Sequence, residues 1–276
     1  MTNIGVMEGR LLPPEAGRFQ CFPREGWAKE FELAPQANLD CIEWIYDLYG
    51  ADVNPIATDA GIEKLKSLTT KYKVKVLSVC ADYFMDKPLL RAEPAELEER
   101  FKTLVWLVGQ GRKLGINRIV VPFVDASRID TEAEFGGVID LLQRVIPVAE
   151  AANIEIHLET SLEPNRFARL LSILQHPKIK ANYDSGNSSS LGYIPADEFK
   201  AYGERVGSVH IKDRVRGGGT VPLGTGNADF RSLAECLKGI HYAGDFILQV
   251  ARGEPGDEVN WLRPIREFVV KNFVNM

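Results

Sequence analysis

The chain has 276 residues, of which 45% are hydrophobic and 26% charged, a composition typical of globular proteins. Its formal net charge of −5 excludes the basic excess that a nucleic-acid-binding protein uses to neutralise phosphates. No apolar stretch approaches the ~18 residues of a membrane span and the N-terminus lacks the features of a signal peptide, so we predict a cytoplasmic protein without nucleic-acid or membrane partners.

Eight short runs rich in Val, Ile and Leu predict β-strands. In chain order they are Ile4–Met7, Cys41–Ile45, Val74–Cys80, Arg118–Val124, Ile154–Glu159, Ile179–Asp184, Gly207–Ile211 and Phe246–Val250. The runs are continuous rather than alternating. This pattern is typical of strands that are buried on both faces of a parallel sheet.

Longer segments between these runs carry apolar residues at helical spacing. They are Asp59–Tyr72, Glu96–Leu114, Phe135–Ala151, Arg166–Leu174, Phe230–Gly239 and Glu258–Phe273. The alternation predicts an α/β fold, a single (β/α)8 TIM barrel that spans residues 1–276 as one domain. A doubly wound open sheet is the alternative, but its GxGxxG phosphate motif is absent after the first strand.

Polar side chains stand where four consecutive predicted strands end. These side chains belong to Glu159, Asp184, His210 and Gln249. Because neighbouring parallel strands end at the same mouth of a barrel, we expect the four side chains to converge there. Two carboxylates, an imidazole and a carboxamide suit one divalent ion such as Mn²⁺, Co²⁺, Zn²⁺ or Mg²⁺.

The motifs around these residues resemble the xylose isomerase-like TIM-barrel superfamily of sugar-phosphate isomerases and epimerases. The resemblance is carried by HLET at Glu159, YDSGN at Asp184 and VHIKD at His210, and by the segment Val221–Phe230. Gly9–Leu11 and Ile42–Trp44 are similar to one sugar-phosphate branch. The resemblance covers nearly the whole chain and implies that Glu159, Asp184 and His210 bind a metal ion.

One position departs from the family pattern, because Gln249 stands where the family has a metal-binding Glu. A carboxamide oxygen can still bind a metal, but it carries no charge and is no base near neutral pH. We therefore expect weaker metal binding than in the family.

The resemblance also implies enediolate chemistry on a ketose or ketose phosphate, with Glu159 as the catalytic base. Three possibilities stay open. Glu159 alone could support aldose–ketose isomerisation, or a second acid such as Glu8 or Glu43 could restore epimerisation. The third possibility is a carbohydrate-binding barrel with degraded catalysis.

Further residues are predicted to contact the substrate. Glu43, His157 and Asn187 could bind hydroxyl groups, and Asp213 could instead orient the His210 imidazole. Arg214, Arg216 and Arg252 follow the last two strands, where barrels commonly bind phosphate, and Lys212 adds positive charge there.

Other chemistries of the superfamily remain as alternatives. An inosose dehydratase-like lyase or a hydroxypyruvate isomerase-like enzyme would share the three metal ligands. The chain has only four His, too few for the multi-zinc site of an apurinic endonuclease. The expected partner is a small sugar or sugar phosphate, and the sequence leaves a homo-oligomer open.

Overall fold

The computed structural model describes residues 2–274, so Met1 and residues 275–276 of the predicted domain lie outside the described part. Its strands are β1 Ile4–Met7, β2 Cys41–Ile45, β3 Lys75–Cys80, β4 Arg118–Phe123, β5 Glu155–Thr160, β6 Ile179–Asp184, β7 Val206–Ile211, β8 Asp213–Arg214, β9 Thr220–Val221 and β10 Phe246–Leu248. Strands β1–β7 and β10 form a closed barrel with the order β1-β10-β7-β6-β5-β4-β3-β2, and all its pairings are parallel. The predicted (β/α)8 barrel is confirmed.

Helices cover the outside of the barrel. They are α1 Trp27–Leu33, α2 Asp59–Tyr72, α3 Tyr83–Asp86, α4 Pro94–Leu114, α5 Glu132–Ala152, α6 Pro164–Leu174, α7 Ser185–Leu191, α8 Pro195–Tyr202, α9 Phe230–Gly239 and α10 Glu258–Val269. The predicted bounds of α2 and α9 match the structure. The helix predicted to reach Phe273 instead ends at Val269 and continues as one π-helical turn, Val270–Val274.

Local hydrogen bonds explain where the long helices begin and end. Thr58 accepts a hydrogen bond from the Gly61 amide at the start of α2. Thr131 and Glu134 form a reciprocal capping box at the start of α5. Gly115 ends α4 in the left-handed conformation that glycine adopts without strain. The short helices α1, α3, α7 and α8 were not predicted, because one or two turns carry too little periodicity to be recognised.

The apolar core between barrel and helices includes a fully buried Trp44 on β2. Its ring lies 5.7 Å from the Phe22 ring, 5.8 Å from Trp27 and 6.2 Å from Phe31. Its indole N–H donates to the Asn54 side chain at 2.9 Å. These contacts fix the loop after β1 and helix α1 against the barrel.

None of the helices within residues 2–274 has both the length and the apolar composition needed to span a membrane.

Trp44→Ala is expected to destabilise the protein by about 3–5 kcal/mol, because it leaves a cavity in a close-packed aromatic cluster. Urea unfolding followed by circular dichroism measures the loss. Ile173→Ala is the control, because Ile173 on α6 is 45% exposed and its loss should change stability by less than about 0.5 kcal/mol. Equal effects of both variants would contradict this account of the core.

Candidate functional site

A cavity of about 280 Å³ opens at the carboxyl ends of the barrel strands. One wall comes from the loops after β1, β2, β3 and β4, and the other from the ends of β5, β7 and β10 and the start of α7. A volume near the lower end of the range for ligand pockets suits a small molecule. In TIM barrels this face carries the active site.

Glu159, Asp184 and His210 converge at this mouth. Each offers one ligand atom, and these atoms all lie within 4.8 Å of one another. All three side chains are buried. The three residues could therefore hold one metal ion with an oxygen-rich, mixed O/N ligand set.

Asp184 ends β6 and also begins α7. Its Oδ1 accepts hydrogen bonds from the amides of Gly186 (2.8 Å) and Asn187 (2.7 Å), as a helix N-cap does. These bonds fix the carboxylate and leave Oδ2 for another partner. The YDSGN motif is thus a strand end, a metal ligand candidate and a helix start in one segment.

Glu159 is held by two carboxamides. Asn187 Nδ2 donates to Oε1 at 2.5 Å, and Asn182 Nδ2 donates to Oε2 at 3.0 Å. Asn182 in turn accepts a hydrogen bond from Ser208 at 2.5 Å. This chain of side chains fixes the Glu159 carboxylate at the floor of the cavity.

His210 is oriented by a carboxylate below it. Its Nε2 lies 2.7 Å from Glu43 Oε1, and both side chains are fully buried. Its Nδ1 makes no hydrogen bond among the described residues and lies 3.4 Å from Glu159 Oε2. A buried ring nitrogen that faces two carboxylates and lacks a hydrogen bond is suited to bind a metal ion.

Gln249 reaches the same region but already has two partners. Its Oε1 accepts a hydrogen bond from Lys212 Nζ at 3.0 Å, and its Nε2 donates to Gln20 Oε1 at 3.0 Å. Lys212 Nζ also lies 3.4 Å from Asp184 Oδ2 and 3.3 Å from Asn187 Oδ1. The fourth predicted ligand is therefore paired with an ammonium group.

Two residues predicted to contact substrate lie below the cavity. Glu43 binds His210 and accepts a hydrogen bond from Ser78 at 2.6 Å. His157 is fully buried, with Nδ1 2.7 Å from Ser208 Oγ and Nε2 2.9 Å from Glu155. Neither side chain lines the cavity. Glu43 instead positions the His210 ring.

Asp213, predicted to orient the His210 imidazole, instead organises the loop after β7. It accepts hydrogen bonds from the backbone amides of Gly224 (2.8 Å), Gly226 (2.9 Å) and Ala228 (3.0 Å). Since both of its oxygens bind this loop, Asp213 acts as the loop's internal anchor.

The three arginines do not form a cluster on the cavity wall. Arg214 donates to Asn187 at 2.8 Å and to the Gly218 carbonyl. Arg252 donates to the carbonyls of Phe19 and Leu12 and so pins the loop after β1. Arg216 is exposed and does not line the cavity. None of the three predicted phosphate-binding arginines lines this cavity.

Gln20 and Asp82 line the cavity and were not predicted as site residues, and Lys212, predicted only as added charge for a phosphate, lines it as well. Lys212 follows His210 by two positions, and that spacing was the available signal because it places both on one face of a strand. Asp82 accepts a hydrogen bond from Gln20 at 2.7 Å and one from Cys80 at 3.1 Å. Burial raises the pKa of Asp82 to about 6.

Known structures share this fold. The chain superposes on a structure of L-ribulose 3-epimerase with a TM-score of 0.78 at 16% identity, over 100% of this chain and 95% of the other. A structure of the IOLI protein with a bound zinc atom superposes with a TM-score of 0.76 at 17% identity, and the match covers 99% of each chain. D-allulose 3-epimerase from Methylomonas sp. in complex with D-allulose superposes with a TM-score of 0.72 at 18% identity. This match covers 99% of the present chain and 97% of the epimerase chain.

No curated protein matches this chain significantly by sequence. At identities this low, the structural matches establish the fold alone. The family model for the xylose isomerase-like TIM barrel matches residues 31–265, which is most of the chain. Together with the closed barrel and its strand-end Glu, Asp and His, this match shows that the chain belongs to the xylose isomerase-like TIM-barrel family.

Proposed function

We propose that this protein is a metal-dependent isomerase or epimerase of a small unphosphorylated ketose. The observation that carries the proposal is the convergence of ligand atoms from Glu159, Asp184 and His210 within 4.8 Å of one another, with Glu159 lining a small cavity. The similar structures of L-ribulose and D-allulose 3-epimerases support a ketose as the substrate class.

The ligand set supports Mn²⁺, Co²⁺, Zn²⁺ or Mg²⁺, with Glu159 and Asp184 as charged ligands and His210 Nδ1 as the nitrogen ligand. A bound divalent ion there supplies Lewis acidity that polarises a carbonyl group. The IOLI structure with a zinc atom supports a metal ion in this fold.

Glu159 is the proposed base. Its carboxylate removes the proton on the carbon next to the carbonyl, and the electron pair of that C–H bond moves toward the carbonyl oxygen. Return of a proton to the former carbonyl carbon, with the neighbouring hydroxyl proton passing to the former carbonyl oxygen, moves the carbonyl group and gives an isomer. Return of a proton to the carbon that lost it, from the opposite face, gives an epimer.

Epimerisation needs a second acid, and Asp82 is the best-placed candidate. The two acids considered from the sequence are both engaged elsewhere. Glu8 is fully buried, and its Oε2 accepts a hydrogen bond from the Ile45 amide of β2 at 2.7 Å. Glu43 lies under His210. Asp82 and Glu159 both line the cavity, Asp82 just after β3 and Glu159 on β5, two strands away in the barrel. A carboxyl group with a pKa of about 6 can hold or release a proton near neutral pH.

Charge around the cavity favours a neutral sugar over a sugar phosphate. Five carboxyl groups line it, against two basic side chains. The acids are Asp47, Asp82, Asp86, Asp125 and Glu159, and the bases are Arg18 and Lys212. A phosphate dianion would be repelled by such a wall.

Metal binding is expected to release a proton from His210. Burial alone would lower its pKa, but the Glu43 and Glu159 carboxylates raise the pKa of His210 to about 10. The metal-free protein therefore carries His210 protonated at pH 7, whereas a ligating imidazole is neutral. Apparent Mn²⁺ affinity should rise by up to about tenfold per pH unit from pH 7 to pH 9.

Calorimetric titration of Mn²⁺ in two buffers of different ionisation enthalpy measures the released proton. Glu43→Gln removes the main charge that raises the His210 pKa, so it should reduce the release. An observed enthalpy that is the same in both buffers would contradict this protonation state.

Glu159→Gln should lower kcat for ketose conversion by about 10²–10⁴-fold, because the carboxamide cannot accept the proton. NMR in D₂O measures both product formation and deuterium incorporation next to the carbonyl. Glu163→Gln, an exposed residue four positions later, is the matched control and should retain activity. A wild-type protein that incorporates no deuterium into any tested ketose would overturn the proposed function.

Asp82→Asn separates epimerisation from isomerisation. If Asp82 is the second acid, the variant should still exchange the substrate proton with D₂O through Glu159 but form at least about 100-fold less epimer. Asp140→Asn, exposed on α5, is the control for a lost surface carboxylate. Undiminished epimer formation by the Asp82 variant would exclude this role.

A further inference from the structure

Lys212 brings a buried ammonium group into the metal site. The side chain is 11% exposed, and its Nζ lies within 3.4 Å of Gln249, Asn187 and Asp184. Apart from Lys212, the cavity wall has one basic residue, the exposed Arg18. Lys212 is therefore the positive charge closest to the proposed metal ligands among those that line the cavity.

The path of this side chain is fixed by its neighbours. The Lys212 amide donates to Ser185 Oγ at 3.0 Å, and Ser185 Oγ donates to the Lys212 carbonyl at 2.7 Å. The aliphatic stem passes over Gly186, where a Cβ atom would lie 2.5 Å from Lys212 Cγ. Glycine at position 186 thus leaves the space that directs the ammonium group into the site.

The orientation of Gln249 is fixed as well. Gln20 Oε1 accepts hydrogen bonds from Gln249 Nε2 and from Arg10 Nη2, both at 3.0 Å. The NH₂ group of the Gln249 side chain must therefore face Gln20, and the side-chain carbonyl oxygen must face Lys212. A carboxylate at position 249 would place an oxygen against Gln20 Oε1, so the neutral side chain fits this network.

We propose that Lys212 is a catalytic residue that acts beside the metal ion, binding the substrate oxygen on which negative charge develops. The proposal rests on the proposed function. A second consequence of the Lys212 position is that the ammonium group lowers the affinity of the substrate-free protein for the metal ion. The role follows from the position of Nζ between Asp184, a metal ligand candidate, and the open cavity.

Lys212 is expected to affect the metal ion because both contact the same carboxylate, that of Asp184. Since Lys212 Nζ lies 3.4 Å from Asp184 Oδ2, an ion bound roughly 2 Å from that oxygen would lie no more than about 5.4 Å from the ammonium group. Like charges at this distance repel, and removal of the ammonium should raise metal affinity by at least about tenfold. The same ammonium is favourable once substrate carries a developing negative charge, because a preorganised donor stabilises it. Lys212 should therefore affect metal affinity and turnover in opposite directions.

The test measures Mn²⁺ binding to metal-free protein by calorimetry, and ketose turnover at saturating Mn²⁺. Lys212→Met should bind Mn²⁺ at least about tenfold more tightly than wild type, while its kcat falls by about 100-fold or more. Lys113→Met is the matched control, since Lys113 forms a surface ion pair with Asp59. Its Mn²⁺ affinity and kcat should equal those of wild type.

Lys212→Gln, which keeps a polar group against Gln249, provides a second variant if Lys212→Met does not fold. It should show the same pair of opposite changes. Unchanged or weaker Mn²⁺ binding in the folded variants would overturn the proposal, as would tighter binding with undiminished kcat. The proposed function fails separately, if wild-type protein with saturating Mn²⁺ converts no ketose.

Discussion

The site depends on the closure of the parallel barrel. Every barrel strand runs in the same direction, so all eight carboxyl ends meet at one rim. The pairing of β6 with β7 sets Asp184 opposite His210, and the neighbouring β5 brings Glu159 beside them. Because the backbone hydrogen bonds of the ring fix these positions, three side chains that are distant along the chain reach one small volume.

A buried polar network underlies this rim and orients the site. Glu43 fixes His210 from below, while Ser208 and Asn182 connect the interior to Glu159. Buried polar groups are costly unless they are paired, so each partner restricts the next to one arrangement. The result is a site whose carboxylates and imidazole are oriented by the barrel interior rather than by flexible loops.

The neutral Gln249 gives this site an electrostatic character of its own. A divalent ion, its two carboxylate ligands and the nearby ammonium group would together carry a net charge of plus one. We expect this charge balance to weaken metal binding in the free protein and to favour a substrate that becomes negatively charged as it reacts. Four aspartates on the other wall, in contrast, disfavour a permanent phosphate dianion.

The architecture and three residues of the candidate site could be predicted from the amino-acid sequence alone. Continuous Val/Ile/Leu runs and helical periodicity are local signals, so the barrel strands and most helices could be located before the structure was known. Glu159, Asp184 and His210 could be found because each ends such a run. The three-dimensional structure was needed to show that Glu43 lies under His210 and that Arg252 pins the loop after β1. It was also needed to show that Lys212, Gln20 and Asp82 reach the cavity. The direction and partners of a long polar side chain depend on residues far away in the chain, and no local pattern encodes them.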